Sequence, residues 1–511
     1  MGPGDYHKES GQNGPQLDSS PSSLKVITAN GDLILEYVAG DSAATTSHKW
    51  QVASKLLASN SPYFQALLDP TKFSEGRQFN AQKESWSETQ IQDVASHHTL
   101  PTVTLPSVRP TNMCGEDAIE LFLRILCLDS IGETERNVFE HELKVQPTSL
   151  IARMIDLADS FNSPRIVRNV LRRIGYAYGK AKPALFARFN AGLLSMREDR
   201  VRQTIFISTF LDDSRVSRLM THTLAVVGSR FWINGLEDPE EEDLRWKYLP
   251  NGIEVTKPCP RPEEIYYRRQ CVLNTITDLQ AHFLRIYGGM EDDSAKPSRA
   301  NRSLGAAFMT SAPALLHSRQ FHCRGGFNNA SQCDLFQLGQ MVRFFSMRAK
   351  TIFFGSTLIN PDFSATPEDE YTVGESNDQS TGPSLVITAI IASLKQYPDY
   401  PIDEAHTGCG IRRRIMPALE CVEKFVWDDR GLLGISPASD SVSESTSSRW
   451  IPWADLLTRK HMADVSFARV TAVYYPSAPS KNQVTRSTPQ EELCRLLFTA
   501  ARRDWSAAGS N

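Results

Sequence analysis

The sequence predicts an α+β protein, in which an N-terminal domain with a short sheet flanked by helices precedes a mostly α-helical C-terminal half. Two observations predict this class. Short β-prone runs lie before residue 106, and apolar residues at helical spacing recur through the rest of the chain. A third observation, the length of 511 residues, favours more than one domain, because domains usually contain about 100–200 residues.

The predicted N-terminal elements begin with residues 24–40, where two β-prone runs flank Asn30-Gly31. This dipeptide is typical of a tight turn, so we expect a hairpin here. Two helices should follow. The first carries Val52, Leu56 and Leu57 on one face, and the second begins at Ser61-Pro62, an N-cap followed by proline in the first turn.

A polar insertion from Asn80 to about Leu100 separates these helices from a short strand at 102–106. The next helix is indicated by apolar residues three and four apart: Ala118, Leu121, Phe122, Ile125 and Leu126. A second polar stretch, 129–146, leads to a helix around Ile151–Ala158 and to another that begins at Ser163-Pro164. The predicted order up to residue 175 is therefore hairpin, two helices, strand and three helices.

Composition divides the whole chain into five segments. They are a disordered tail (1–23), the α+β domain (24–175), a helical extension (176–236), an acidic and Pro-rich linker (237–262), and a mostly helical C-terminal domain with polar loops (263–511). Within the last segment, helices are predicted at 272–286, 334–348, 384–396 and 411–427. No fixed-period repeat is present, which argues against a solenoid.

Five separated motifs occur in order within the α+β domain. They are Gly31-Asp32-Leu33-Ile34-Leu35, then Ser54–Leu57 with Ser61–Leu68, Phe73-Ser74-Glu75-Gly76, Val103-Thr104-Leu105-Pro106, and Leu157-Ala158-Asp159-Ser160-Phe161. The set resembles the BTB/POZ domain, in which a D-h-x-h strand leads into a helical hairpin, an F-x-E stretch, a third strand and a late h-A-D-x-Y/F helix. The same leucines and phenylalanines would also suit the core of any α+β domain, so the resemblance rests on order and spacing.

Two departures from the animal BTB pattern are visible. Ala53 stands where a histidine is usual, Ser54 takes the following basic position, and both polar insertions are long. These features are similar to those of the long BTB proteins of filamentous fungi, which often have a helical C-terminal half. The resemblance implies a non-enzymatic interaction protein with protein partners, a homodimer formed through the BTB-like domain, and a role as adaptor of a cullin-type ubiquitin ligase or as nuclear regulatory scaffold.

No common catalytic signature is present: the chain lacks a phosphate-binding loop, a G-x-S-x-G elbow, an H-E-x-x-H motif and a kinase set. We therefore expect no catalytic residues. The best-organised polar set is Cys323, Cys333, His406 and Cys409, whose thiolates and imidazole suit tetrahedral zinc. The spacing His-x2-Cys is a workable chelate, whereas Cys-x9-Cys is looser than in ordinary zinc fingers.

Three interpretations of this set stay open. The residues could hold a structural zinc, they could be reduced structural cysteines with no cofactor, or the 320–410 region could form a zinc- or thiol-dependent enzyme. His322 is a substitute ligand, and His406 could instead cap the helix that starts near Gly410. A structure that shows whether the four side chains converge would separate these interpretations.

Charge and composition limit the remaining function classes. The 55 Lys and Arg against 59 Asp and Glu leave a net charge of -4, and the basic clusters at Arg412–Arg414 and Arg165–Arg173 lack interleaved aromatics. We therefore expect solvated helix faces and no direct nucleic-acid binding. No apolar run approaches the ~20 residues of a membrane span. Nine cysteines without a signal segment favour an intracellular protein, cytoplasmic or nuclear, with reduced thiols.

Overall fold

The computed structural model describes residues 24–39, 46–84, 100–105, 115–179, 183–229, 232–233, 236–237, 262–290, 323, 330–351, 386–435, 465–467, 470, 489–500 and 503–505. The predicted tail, 1–23, and nearly all of the predicted linker, 237–262, lie outside these ranges. The fold class is α+β, and contacts divide the chain into an N-terminal unit, Met1–Gly179, and a C-terminal unit, Lys180–Asn511. This boundary is close to the one that composition places at residue 175.

The N-terminal unit contains one sheet and seven α-helices within its described part. Its strands are β1 (Leu24–Val26), β2 (Leu33–Ala39), β3 (Thr46–Val52) and β4 (Thr102–Thr104). Its helices are α1 (Ser54–Asn60), α2 (Pro62–Leu67), α3 (Ser74–Glu84), α4 (Glu116–Leu126), α5 (Glu133–Lys144), α6 (Thr148–Ser160) and α7 (Pro164–Ile174). The strand order is β1-β3-β2-β4, in which β2 and β3 are antiparallel, while β1 and β4 run parallel to β3 and β2 respectively.

The expected hairpin around Asn30-Gly31 is wrong. A turn does occur, because the Gly31 amide donates to the Thr28 carbonyl at 3.0 Å, but β1 and β2 each pair with β3. The cause is β3, which pairs with both strands and so lies between them. The sequence pattern assigned the end of this strand to a helix, whereas its Trp50 and Val52 are fully buried in the sheet. A Cβ at Gly31 would lie 2.8 Å from the Val52 carbonyl oxygen, so the glycine permits this close approach.

The entry into α1 is fixed by a side chain from the sheet. Asp32 accepts hydrogen bonds from the amide and the hydroxyl of Ser54, both at 2.7 Å, and pairs with Lys83 at 2.9 Å. Burial alone would raise the pKa of Asp32, but these hydrogen bonds outweigh it and lower that pKa. Ser61 caps α2 as expected, with its hydroxyl accepting from the Phe64 amide at 3.3 Å.

Helix α4 forms the centre of the N-terminal core and packs against α1, α6 and α7. Its apolar spacing is confirmed, because every apolar residue from Ala118 to Leu126 is buried. Phe161, at the end of α6, lies between the rings of Phe64 and Phe122, with centroid distances of 5.4 and 5.5 Å. The strand at 102–104 and the helices that begin at Thr148 and Pro164 are also as expected.

Two stretches interpreted as polar insertions contain helices. Residues 129–146 include α5, which buries only Phe139 and Leu143, and the insertion from Asn80 begins inside α3, whose buried aromatic is Phe79. A helix that buries one or two apolar side chains gives too weak a periodic signal to be recognised. One arginine of the basic stripe on α7, Arg173, is paired, since it contacts Glu140 of α5 at 2.6 Å.

The C-terminal unit is mostly helical, as expected. Its α-helices are α8 (Ala191–Leu194), α9 (Glu198–Phe210), α10 (Ser214–Val227), α11 (Pro262–Ile286), α12 (Ala330–Arg343), α13 (Ile387–Lys395), α14 (Arg412–Val426) and α15 (Pro489–Thr499). A π-helical turn, Phe344–Arg348, continues α12. Short strands pair as β5 (Trp232–Ile233) with β6 (Leu236–Glu237) and β7 (Val465–Ser466) with β8 (Arg503–Asp504).

The predicted helical extension, 176–236, has its helices in the C-terminal unit, where α10 packs against α11 and α13. The predicted helical extension is not helical at its end, where β5 begins at Trp232. Helix α11 also packs against α14 and α15. Within the described ranges, no helix is both long and apolar enough to cross a membrane.

Candidate metal centre

The first half of the candidate centre is a short loop before α14. Residues Glu404–His406 form one 3-10 turn, and the Cys409 amide then donates to the His406 carbonyl at 3.1 Å. Gly408 lies between these two residues with a φ of 78°, in the left-handed region that favours glycine. The turn links the backbones of His406 and Cys409, so both residues of the His-x2-Cys spacing belong to one short loop.

The second half comes from the start of α12. Cys333 lies in the first turn of this helix and is fully buried, and Cys323 precedes the helix and is half-buried. Burial and the neighbouring thiols of Cys323 and Cys409 together raise the pKa of Cys333, so metal binding must displace a proton here.

The segment after α13 joins the two halves. The Gln337 amide of α12 donates to the Tyr400 carbonyl at 2.5 Å, and the rings of Phe344 and Tyr397 meet edge to face at 4.9 Å. Helix α13 packs mainly on α14 and α10, whereas α12 contacts the 397–400 segment, which runs directly into the loop of His406.

The distances bring the four predicted residues together. The ligand atoms of Cys323, Cys333 and His406 all lie within 4.8 Å of one another. Cys409 lies outside that mutually close set of three, but its sulfur is 3.9 Å from the Cys323 sulfur. Sulfurs bound to one zinc at 2.3 Å and tetrahedral angles lie about 3.8 Å apart, so this separation fits two ligands of one ion.

The imidazole of His406 is oriented as a metal ligand would be. Its Nδ1 lies 2.6 Å from Asp403 Oδ1, and this hydrogen bond holds the pKa of Asp403 below its usual value. With the proton on Nδ1, the lone pair is on Nε2, which is buried and has no hydrogen-bond partner. A carboxylate behind the histidine is the usual arrangement around protein-bound zinc. A cation would satisfy this buried nitrogen, on a histidine whose ligand atom lies within 4.8 Å of the Cys323 and Cys333 sulfurs.

Charged and polar neighbours hold the loop in place. The hydroxyl of Tyr287 donates to the Cys409 carbonyl at 3.1 Å, and Arg414 donates to that hydroxyl and stacks on the ring. The guanidinium of Arg413 lies against Gly408, so that a Cβ there would approach it to 3.1 Å. Arg412 donates to the Tyr397 carbonyl. All three arginines of the 412–414 cluster therefore contact this loop or the residues that hold it, although Arg412 and Arg413 are exposed, as predicted for a solvated face.

The donor set fits zinc by type as well as by distance. Three sulfurs and one imidazole nitrogen make a soft set that selects zinc over magnesium or calcium. The residue that sequence reasoning missed is Asp403, although the spacing Asp-x2-His was available as a signal. The candidate substitute ligand His322 lies outside the described residues. His406 does not cap α14, since that helix begins at Arg412 and His406 belongs to the preceding turn.

Comparison of the chain with protein-family profiles, with curated proteins and with solved structures finds no match. The BTB/POZ resemblance therefore depends on the motifs of the chain itself. The assignment of function below rests on the geometry of the two units.

Proposed function

We propose that the chain is a non-enzymatic protein–protein interaction protein, with a BTB/POZ-like N-terminal unit and a C-terminal unit built around a structural zinc. The observation that carries the proposal is the convergence of Cys323, Cys333, His406 and Cys409 on one place in the C-terminal unit. A zinc with four protein ligands has no open position for substrate, so such a site stabilises a fold and does not catalyse a reaction.

Direct measurement of zinc tests this half of the proposal. Purified full-length protein should contain about one equivalent of zinc, and X-ray absorption should give three sulfurs at about 2.3 Å and one nitrogen at about 2.0 Å. Cys421→Ser serves as the matched control for a Cys333→Ser variant, because Cys421 is also buried but lies within α14. Less than about a tenth of an equivalent in wild-type protein would contradict the proposal.

The position of Cys409 supports an alternative, a zinc- or thiol-dependent enzyme in the 320–410 region. If Cys409 stays off the metal, three protein ligands remain and the fourth position is open, as in catalytic zinc sites. The same absorption spectrum distinguishes the two functions. Two sulfurs, one nitrogen and one light oxygen ligand would favour the enzyme, whereas three sulfurs favour the structural centre.

The interaction half of the proposal is supported by where the BTB-like motifs lie. The D-h-x-h motif occupies the start of β2, the helical hairpin is α1 and α2, the third motif strand is β4, and the h-A-D-x-F motif ends α6 at Phe161. Asp32, the first residue of the D-h-x-h pattern, caps α1 from the sheet. The unit also exposes large apolar side chains, at fractions from 40% to 60%: Val26, Val38, Phe73 and Val138.

Self-association through this unit is the property to test. The native mass of the full-length protein at micromolar concentration should be twice the 57.1 kDa of one chain. Val138→Lys changes the most exposed of these valines and should weaken association if α5 contributes to the dimer face. Val167→Ala, at a buried position of α7, controls for a loss of folding stability without a change at the surface. A wild-type monomer at that concentration would contradict the proposed homodimer.

Partners follow from the same proposal. A cullin-type ubiquitin ligase and a nuclear regulatory complex are the two candidates, and affinity purification from native lysate separates them. Recovery of a cullin, under conditions that retain a known adaptor, supports the adaptor role. Its absence under those conditions leaves the scaffold role as the proposal.

A further inference from the structure

Cys323 differs from the other cysteines of the described part of the chain. Six of these seven are buried, whereas Cys323 is half-buried and has the most exposed side chain of the seven. Oxidants in water therefore meet this sulfur first. Oxidation of cysteine is site-selective because it depends on access to the thiolate, and zinc binding would keep Cys323 as a thiolate.

A partner sulfur lies within reach of Cys323. The Cys409 sulfur is 3.9 Å away, on a segment 86 residues further along the chain. A disulfide bond is about 2.05 Å long, so closing it requires the two sulfurs to approach by about 1.9 Å. Cys409 lies in the turn before α14, whereas Cys333 is fully buried within the first turn of α12. Cys333 also lies within 4.8 Å of Cys323, but Cys409 belongs to no helix, so we expect the pairing with Cys409.

We propose that Cys323 and Cys409 form an oxidation site for hydroperoxides, at which a reversible disulfide removes two ligands from the metal and expels it. The inference rests on the proposed zinc centre and names its regulation. The remaining ligands, Cys333 and His406, would hold zinc far more weakly than four do. The loop before α14 and the start of α12 would then be joined by a covalent bond in place of a metal.

The chemistry balances with one hydroperoxide for each disulfide. The Cys323 thiolate attacks the nearer oxygen of hydrogen peroxide, the O–O bond breaks, and the products are a sulfenic acid and hydroxide. The Cys409 thiolate then attacks the oxidised sulfur, the S–S bond forms, and the second hydroxide leaves. Two protons convert both hydroxides to water. Two thiolates lose two electrons in total, peroxide gains them, and zinc leaves as the divalent ion.

Peptide mapping of full-length protein treated with hydrogen peroxide tests the inference. Zinc-loaded protein is exposed to peroxide, released zinc is recorded with a chromogenic chelator, and disulfide-linked peptides are identified by mass spectrometry. We expect one zinc released for each Cys323–Cys409 disulfide, with both changes reversed by a dithiol and added zinc. Cys409→Ser should abolish the linked peptide, and Cys421→Ser should behave as wild type.

Each outcome is decisive. Zinc that stays bound while the peroxide dose oxidises exposed methionines, or a disulfide that joins Cys323 to Cys333, would overturn the inference. Protein purified without zinc would contradict the proposed metal centre instead, and the pairing can still be mapped in that protein. A Cys323–Cys409 disulfide in zinc-free protein would support the oxidation site alone. If Cys409→Ser fails to fold, the pairing in wild-type protein decides.

Discussion

The two units differ in the polar groups that they bury. In the described part of the N-terminal unit, the buried polar side chains are uncharged: Thr28, Gln51, Ser54, Ser61, Thr148 and Ser163. The C-terminal unit buries ionisable side chains as well: Arg202, His222, Arg268, Arg269, Asp334 and His406. The first unit is therefore held by an apolar core, whereas the second also depends on internal charge, hydrogen bonds and a candidate metal.

The buried cations of the C-terminal unit hold its irregular segments. Arg268 donates to the Leu433 and Gly434 carbonyls, and Arg269 donates to two carbonyls at the end of α10. His222 is hydrogen-bonded at both ring nitrogens, accepting from the Leu433 amide at 3.1 Å and donating to the Val426 carbonyl at 2.9 Å. Directed hydrogen bonds of this kind satisfy the backbone groups of irregular segments that are buried. The comparison predicts that charge, pH and metal affect mainly the second unit.

The largest expected effect is on the apolar core of the first unit. Phe64→Ala should lower the free energy of unfolding by about 3–5 kcal/mol, because this fully buried ring stacks on Phe161. Denaturant unfolding, monitored by hydrogen exchange of N-terminal peptides, measures this loss of free energy of unfolding. Phe73→Ala is the matched control, since Phe73 is 48% exposed and should cost less than about 1 kcal/mol. Equal losses at the two positions would mean that this core is wrongly described.

Charge inside the second unit gives the next effect. Glu198→Gln removes the charged partner of Arg202, which is fully buried and lies 2.8 Å away, and should cost about 3 kcal/mol. Glu140→Gln breaks a pair with Arg173, which is 52% exposed, and should cost less than about 1 kcal/mol. Thermal unfolding of both variants gives the comparison. Similar costs would remove the proposed difference between the units.

The pH dependence between pH 7 and pH 5 should be smaller and should arise mainly in the second unit. Burial lowers the pKa of His222 from 6.5 to about 4, so the folded protein keeps this imidazole neutral where the unfolded chain protonates it. Stability from this group is therefore lost as pH falls below 6.5, by about 2 kcal/mol between pH 7 and pH 5. Hydrogen exchange of C-terminal peptides at both pH values measures it. His222→Gln should abolish this component, and an unchanged pH profile would contradict the assignment.

A graded effect on metal affinity is expected at Asp403. Asp403→Ala removes the carboxylate that orients His406 and should weaken zinc binding about 10- to 100-fold. Glu404→Ala, at the neighbouring exposed carboxylate, should leave the affinity unchanged. Competition with a chelator of known affinity measures both variants. Identical zinc affinities would show that the aspartate does not support the ligand.

The sequence predicted what depends on local periodicity and residue type. The spacing from Ala118 to Leu126 predicted α4, Ser61-Pro62 predicted the start of α2, and the Cys and His residues predicted the candidate centre. Strand β3 was missed because its alternating polar and apolar residues run directly into α1, so that Val52 also fitted the helical spacing of Leu56 and Leu57. Helix α9 lies within the predicted helical extension, but its burial on all sides, including Arg202, Gln203 and Thr204, was not predicted, because no amphipathic pattern indicates it.

The contacts that complete the candidate centre depend on the folded chain. The approach of α12 to the 397–400 segment is set by Gln337 and by packing of Phe344 on Tyr397, residues whose spacing in sequence carries no such signal. Asp403 could have been found from its position three residues before His406. The Cys323–Cys409 separation could not, because it depends on how distant segments pack.

Hydrogen exchange of the full-length protein, with zinc bound and after its removal by a chelator, tests the central difference between the units most directly. We expect loss of zinc to reduce protection in peptides from 330–351 and 400–426, because a structural site couples metal binding to local folding. Peptides from 115–179 should keep their protection, since that core contains no predicted ligand. Unchanged protection near the four ligands, or an equal loss in both units, would contradict the account.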